Sequence, residues 1–368
     1  MTLFPQINGY SHEKKLNGES DYDFFTRVCD WPDMEKARDR LELWFSHVPC
    51  KEKSRIRQTM SRGGNTDFDA CFFELFLHQF LLVSGCKPEI HPSLGRQGRK
   101  PDFAGCSVTG SDFVMEARVV TDKPDDERSK EKLQGQILDV LDSLSSPHIS
   151  FAISELAVKS DQPPSLSKIR KFALKQIAAA SDDVASLQGA IWEYEEDARV
   201  KLVIRPIPLR KKKWSSNVGI GPTKIRWGSP EAAIAAQLQK KATGYGKIEK
   251  PFVIAINVVS EWTNNLESVT KTLLGVPEDV LLRAKGSSAI QQHLDSESFW
   301  YKDGAPQHRT VSAVLATRMF PWSVLRAPLR LYHNPHARYQ LPDDVLPVEQ
   351  ITRALVIETG TNLQEILG

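Results

Sequence analysis

Apolar residues return along the chain with two periods, and the alternation between them marks out the elements. From Pro32, a residue suited to a first helical position, Met34, Ala37, Leu41, Trp44, Phe45 and Val48 recur at helical spacing until Pro49. A polar segment follows in which Lys51, Lys53, Arg55, Arg57 and Arg62 crowd together, and Gly63-Gly64-Asn65 breaks it. The next stretch, residues 67 to 84, is apolar almost all round (Phe68, Phe72, Phe73, Leu75, Phe76, Leu77, Phe80, Leu81, Leu82). A helix of that composition must be covered on most sides, which makes it the expected centre of the core. Three short strands are predicted after Gly85, at 87 to 91, 102 to 107 and 112 to 120, the last two joined as a hairpin through Val108-Thr109-Gly110-Ser111.

Further on, a charged run through Lys132 leads into a helix carrying Leu133, Ile137, Val140, Leu141 and Leu144, and Ile149 to Val158 reads as a fourth strand. The pattern then predicts a helix from Pro164 to Ala180, a strand over Val200 to Pro208, and a helix opened by Pro230 that carries Gln237 and Lys241 and ends at Gly244. Phe252 to Val259 is a strongly apolar strand, a helix covers 265 to 274, and Val311 to Thr317 and Leu329 to His333 are strands. No repeat or low-complexity linker divides the chain. The expected layout is an N-terminal arm and helix over 1–50, one elaborated domain over 51–342, and a tail or helix over 343–368.

With 40% hydrophobic and 26% charged residues in 368, the composition is that of a globular protein with a sizeable core. Lys and Arg (48) nearly balance Asp and Glu (46), so the net charge of +2 selects no partner and only local clusters carry weight. Cys29, Cys50, Cys71, Cys86 and Cys106 are odd in number and contain no CxxC pair, which predicts free thiols and a cytoplasmic setting. Met1 to Tyr10 lacks the basic and apolar regions of a secretory leader, and no run of about 18 apolar residues occurs, so no membrane partner is expected.

Against this apolar background stand three carboxylates: Glu74 in the central helix, Asp102 after Pro101, and Glu116 in the third strand. Burying one without a partner costs several kcal/mol, so three that converge call for a cation, protons or basic side chains between them. Period-two geometry puts Glu116 and Arg118 on one strand face, and the hairpin can set Asp102 beside Glu116. Hard divalent cations take oxygen ligands, and Mg²⁺ needs only one or two carboxylates alongside water and phosphate oxygens. The plainer alternative is that Pro101-Asp102 makes a turn and Glu116 a salt bridge.

These residues, spaced as Pro-Asp, thirteen residues, Glu-x-basic, resemble the PD-(D/E)XK nuclease superfamily, and more closely a group of bacterial nuclease-like proteins. The resemblance rests on Phe73-Glu74-Leu75-Phe76-Leu77-His78, Lys100-Pro101-Asp102-Phe103 and Phe113-Val114-Met115-Glu116-Ala117. It extends to Tyr245-Gly246, Pro251 to Asn257, Val311 to Leu315, and Leu331 to Ala337. It implies an α/β fold, a mixed sheet with a restriction-endonuclease-like core ordered helix, three strands, helix, strand, plus helical and C-terminal strand elaborations. It further implies Mg²⁺ or Mn²⁺ held by Glu74, Asp102, Glu116 and the carbonyl of Ala117. Where the superfamily has Lys this chain has Arg118, which can neutralise phosphate charge but is a poor general base. Lys132 and Lys241, each on a helix, are the candidates to stand in for that lysine.

Two basic clusters are candidate nucleic-acid contacts: Arg55, Arg57 and Arg62, and the run Arg210, Lys211, Lys212, Lys213 with Trp214 as a stacking ring. The exposed charged loop is the competing reading for both. The expected function is a metal-dependent nuclease hydrolysing phosphodiester bonds, with DNA ahead of RNA, in defence or repair. The alternative is an inactive nucleic-acid-binding or protein-interaction module that keeps the fold.

Overall fold

The computed structural model describes residues 1–5, 15–27, 32–93, 100–121, 125–144, 149–160, 162–180, 187, 189–196, 199–209, 218–220, 230–245, 248–259, 266–275, 297–351, 356–357, 363 and 367. In chain order its helices are α1 (Asp21–Arg27), α2 (Pro32–His47), α3 (Cys50–Arg62), α4 (Asn65–Val83), α5 (Asp125–Asp142), α6 (Leu166–Ala180), α7 (Pro230–Ala242) and α8 (Glu267–Leu274). Its first strands are β1 (Glu89–Ile90), β2 (Phe103–Cys106), β3 (Asp112–Val120), β4 (Ile149–Val158), β5 (Trp192–Glu196), β6 (Val200–Pro208), β7 (Val218–Ile220) and β8 (Phe252–Val258). The later ones are β9 (Tyr301–Lys302), β10 (Ala305–Pro306), β11 (Ala313–Thr317), β12 (Leu329–His333), β13 (Glu349–Ile351) and β14 (Val356–Ile357).

The chain forms two compact units where the patterning suggested one elaborated domain. Unit 1 comprises Met1–Ser11, Val28–Asp122 and Gly228–Gly368, and unit 2 comprises His12–Arg27 and Lys123–Trp227. Each has its own sheet and apolar core. The class is mixed α/β, as expected.

Unit 1 is built on an eight-stranded mixed sheet ordered β1-β2-β3-β8-β11-β12-β13-β14. β3, β8 and β11 are parallel neighbours, and all seven residues of β8 are buried, as a central parallel strand requires. α4 packs on β3 and is itself covered by α2 and α3. Its rings Phe73, Phe76 and Phe80 stack along the helix, with Trp44 of α2 set against Phe76. A further apolar cluster joins Ile234 and Leu238 of α7 and Val269 and Leu273 of α8 to Val114, Ile254, Ile256 and Val314 of the sheet.

Several expectations are changed or sharpened. The polar segment after Pro49 is the helix α3, because Ile56 and Met60, four apart, bury one face while Lys51, Arg57 and Arg62 are exposed and Arg55 reaches Glu74. Residues 343–368 contribute β13, parallel to β12, and β14, and the arm at the N-terminus is docked: Leu3 and Phe4 are buried and donate their backbone N–H groups to Glu42 at 2.9 and 2.8 Å. Finally, Ile149 to Val158 does not close the central sheet. β4 belongs to the four-stranded sheet β5-β6-β4-β7 of unit 2, and the helix and strand that follow β3 in the central sheet are α7 and β8.

Within unit 2, α5 carries Gly135 where the backbone of Asn17 crosses it. A Cβ there would lie 2.2 Å from the Asn17 carbonyl oxygen and 2.7 Å from the Gly18 Cα, and backbone cannot swing aside as a side chain can. Ala in mid-helix ordinarily gains about 0.5–1 kcal/mol over Gly, whereas overpacking costs about 1–3 kcal/mol. Gly135→Ala is therefore expected to destabilise unit 2, with urea unfolding followed by circular dichroism as the measurement; a variant more stable than the wild type contradicts this packing.

Candidate functional site

The hairpin of β2 and β3 runs in register from Cys106–Asp112 to Phe103–Met115, so Asp102 stands one residue beyond, opposite Glu116. The two are cross-linked: the Asp102 backbone N–H donates to Glu116 Oε2 at 3.3 Å, and the Ala117 N–H donates to Asp102 Oδ2 at 2.7 Å. Because β2 has ended there, the peptide edge of Ala117 faces Asp102 rather than a strand partner, and its carbonyl lies along the same edge as its N–H.

Glu116 is 2% exposed, and its charge is met from α7 and the residues after it. Lys241 forms an ion pair with Oε1, and the Tyr245 hydroxyl donates to Oε2 at 2.5 Å. On the same strand face Arg118 donates through Nε to Gln237 Oε1 at 2.8 Å. Gln237 and Lys241, four apart on α7, thus meet Arg118 and Glu116, two apart on β3.

Glu74 projects from α4 and accepts from the Arg55 guanidinium at 3.1 Å, while Arg55 Nε donates to Glu52 at 3.2 Å. Burial opposes the charge on Arg55, yet Glu74 and Glu52 hold its pKa above the ordinary value. His91, in the left-handed region at φ 51°, sets Nδ1 3.6 Å from Glu52 and Nε2 3.9 Å from Asp102, and its backbone N–H donates to the Asp102 carbonyl at 3.0 Å. A non-glycine residue in that conformation is uncommon and concentrates at sites where neighbours over-determine the backbone.

The three carboxylates therefore share one electrostatic environment. Burial, then the charges of Glu116 and Glu74, push Asp102 up to about 7, against the Ala117 N–H and Lys241, which pull it down. Burial and two neighbouring carboxylates thus both disfavour the charged form of Asp102, while Glu116 and Glu74 each have a basic partner. The donors present, Asp102, Glu116 and the Ala117 carbonyl, are hard oxygens of the kind Mg²⁺ and Mn²⁺ take. Among the described residues no group of three or more His, Cys, Asp or Glu stands ready to hold a metal ion: Glu74 is turned to Arg55, and both Glu116 oxygens have protein partners.

The remaining candidates divide. Arg55 is committed to carboxylates; Arg57 and Arg62 are exposed on α3; Lys132 is exposed on α5, in unit 2. Arg210, Lys211, Lys212, Lys213 and Trp214 lie outside the described residues. His78 is buried and drawn down to about 4 by desolvation and by His47, so it is neutral at physiological pH, and Cys71 is pushed up to about 12 by burial and Glu74, so its thiol is inert. Cys50, Cys71, Cys86 and Cys106 are free thiols, and Cys29 lies outside the described residues. His333 bonds Gln350 at 2.7 Å, a structural contact under β13. No described helix is long and apolar enough to cross a membrane. Sequence patterning did not single out Tyr245, Glu52 or His91 for the site; the four-residue spacing of Gln237 and Lys241 was the legible signal.

Comparison with protein-family models, with curated proteins and with solved structures finds no match to this chain.

The raised Asp102 sets a pH dependence with a definite sign. The folded protein holds this proton up to about pH 7, while the unfolded chain loses it near the ordinary value of 3.8. The stability linked to this group is full below pH 3.8 and falls as pH rises to about 7. Asp102→Asn, which can still accept the Ala117 N–H, is expected to remove that fall and to be more stable than wild type at pH 8 in urea titrations. Parallel stability curves for the two proteins over this range would refute the assignment.

Proposed function

We propose that unit 1 is a metal-dependent nuclease, a phosphodiesterase acting on nucleic acid, DNA ahead of RNA, on a restriction-endonuclease-like core. The observation that carries the reading is the meeting of Lys241, Glu116 and Asp102: two acidic residues on a hairpin, cross-linked through the Asp102 N–H, and an ammonium from a helix on the buried one. The order α4, β1, β2, β3, α7, β8, with the Lys123–Trp227 part of unit 2 inserted after β3, supports the same core.

Mg²⁺ or Mn²⁺ on Asp102, Glu116 and the Ala117 carbonyl, with Glu74 beside them, would lower the pKa of bound water and neutralise the attacked phosphate. In this reading Lys241 takes the place of the lysine that Arg118 replaces, as a compact charge on the acidic cluster. Arg118, oriented by Gln237, supplies a fixed fork for a phosphate oxygen. Tyr245 keeps Glu116 in one rotamer through its hydroxyl.

A second reading has its own support. Glu116 and Glu74 are already neutralised by Lys241 and Arg55, as in a domain that has given up its metal and serves as a nucleic-acid-binding or protein-interaction module of a defence or repair assembly.

Titration with Mg²⁺ or Mn²⁺ separates the two. A metal site is expected to raise the melting temperature by linkage in wild type and not in Asp102→Ala. For the nuclease, Lys241→Ala is expected to lose about two to three decades of cleavage rate, the scale of one lost transition-state charge contact, while Lys241→Arg restores little. Equal metal shifts in wild type and Asp102→Ala, with both inert on single- and double-stranded DNA and RNA, would leave the module reading.

A further inference from the structure

From Gly304 to Leu341 the chain contains no Asp, Glu or Lys, yet it contains Arg309, Arg318, Arg326, Arg330 and Arg338. In a protein whose charges nearly cancel overall, this is local positive charge. Two of these arginines, Arg318 and Arg326, fall at one edge of the unit 1 sheet, where β11 ends at Thr317 and antiparallel β12 begins at Leu329, while Arg330 on β12 is ion-paired with Glu349 at 3.1 Å.

The connection between those strands carries an aromatic stack. The Trp322 and Phe320 rings lie parallel, 6° apart in plane and 5.3 Å between centroids, and the Arg318 guanidinium sits over the Phe320 ring at 5.4 Å. Trp44, Trp192 and Trp300 are buried, whereas Trp322 is 43% exposed. An exposed indole stacked on a second ring is not explained by packing.

The stack is also held in place. Asn257 of β8, fully buried, grips Met319 from both sides: its amide donates to the Met319 carbonyl at 3.0 Å and its carbonyl accepts the Met319 N–H at 2.9 Å. Ser323 N–H returns to the Phe320 carbonyl at 3.0 Å, and Thr317 Oγ1 donates to Pro328 O at 2.6 Å across the base of the loop. A rigid, ring-faced loop loses little entropy on binding.

Its position relates it to the carboxylates. Arg118 is in register with Ile256 and Ile256 with Ala316, so Arg318 stands two strands across and two residues onward from Arg118, about 12 Å at ordinary sheet spacings. Both lie toward the carboxyl ends of the parallel strands, the edge where α/β sheets usually bind ligands.

The geometry points to Phe320 and Trp322 as a stacking platform for an unpaired nucleobase, with Arg318 and Arg326 on the adjoining phosphates. The occupant follows from the chemistry: a π-face open to solvent suits every base, and guanidinium groups suit the backbone on either side. The assignment deepens the proposed function, naming single-stranded or frayed nucleic acid as the substrate class, and it rests on that reading for its biological use.

The test is fluorescence anisotropy with a labelled oligothymidylate of about 12 nucleotides, within the span of known single-strand sites, in EDTA so that nothing is cleaved. Trp322→Ala is expected to weaken binding about tenfold or more, and Trp322→Phe to recover most of it. Arg318→Ala is expected to lower the log-log salt slope by about 0.7. The side chain's exposure makes the fold insensitive to Trp322→Ala, which an unchanged melting temperature verifies. A wild type that does not bind, a Trp322→Ala protein that binds within twofold of wild type, or a Trp322→Ala change in oligomeric state with no change in oligonucleotide affinity overturns the platform. Metal-dependent cleavage lost in Asp102→Ala but normal in Trp322→Ala would keep the nuclease and discard the platform; binding lost in Trp322→Ala by a protein inert in every metal would do the reverse.

Discussion

A carboxylate at 2% exposure in the third strand of a sheet sets the terms for the rest of unit 1. Such a group left alone costs several kcal/mol, more than a typical domain can spare from its net stability. Glu116 is instead met by an ammonium, a phenol hydroxyl and a backbone N–H, and the first two arrive from beyond an intervening stretch of more than a hundred residues. α7 is therefore held against β3 by charge as well as by Ile234 and Leu238, and the docking of that helix is what completes the site.

That dependence explains how an independent unit can interrupt the domain. The entropy of closing a loop grows only with the logarithm of its length, so lengthening the connection between β3 and α7 costs little provided the insert folds on its own. Unit 2 has a core of its own, in which Leu202, Ile204, Phe151 and Trp192 on its sheet meet Ile137, Leu141 and Ile169 on its helices. The contacts that assemble the site, Lys241 to Glu116 and Gln237 to Arg118, draw on neither that core nor its sheet.

Local periodicity made most elements legible. α2, α4, α5, β3, β4, β6, β8 and β12 fall where the apolar spacing puts them, and Asp102 lies beside Glu116 as the hairpin allows. Pairing was not legible. β4 and β8 are both apolar strands of similar length, and periodicity does not say which sheet a strand joins; the distinguishing signs are weak, buried at every position in β8 and alternating along the first half of β4. α3 was hidden because only Ile56 and Met60 face inward, too few to outweigh its basic residues. Tyr245 lies past the end of its helix, where no period reaches.

Arg118 then acquires a different meaning from the one its position in the strand suggests. A lysine at that point would place a second ammonium on the same strand face as the Glu116 that Lys241 already neutralises, and the two like charges would compete for one carboxylate. An arginine avoids the conflict, because its broad, weakly hydrated fork can bond an uncharged amide, here Gln237, and still have donors to spare. Delivering the ammonium from α7 and an arginine from β3 are thus two halves of one solution: the site keeps a compact proton-bearing charge at the acid and a fixed planar one beside it. Arg118 of the strand and Lys241 of the helix thus meet Gln237 and Glu116 across one interface, a pairing in space that neither stretch shows when read alone.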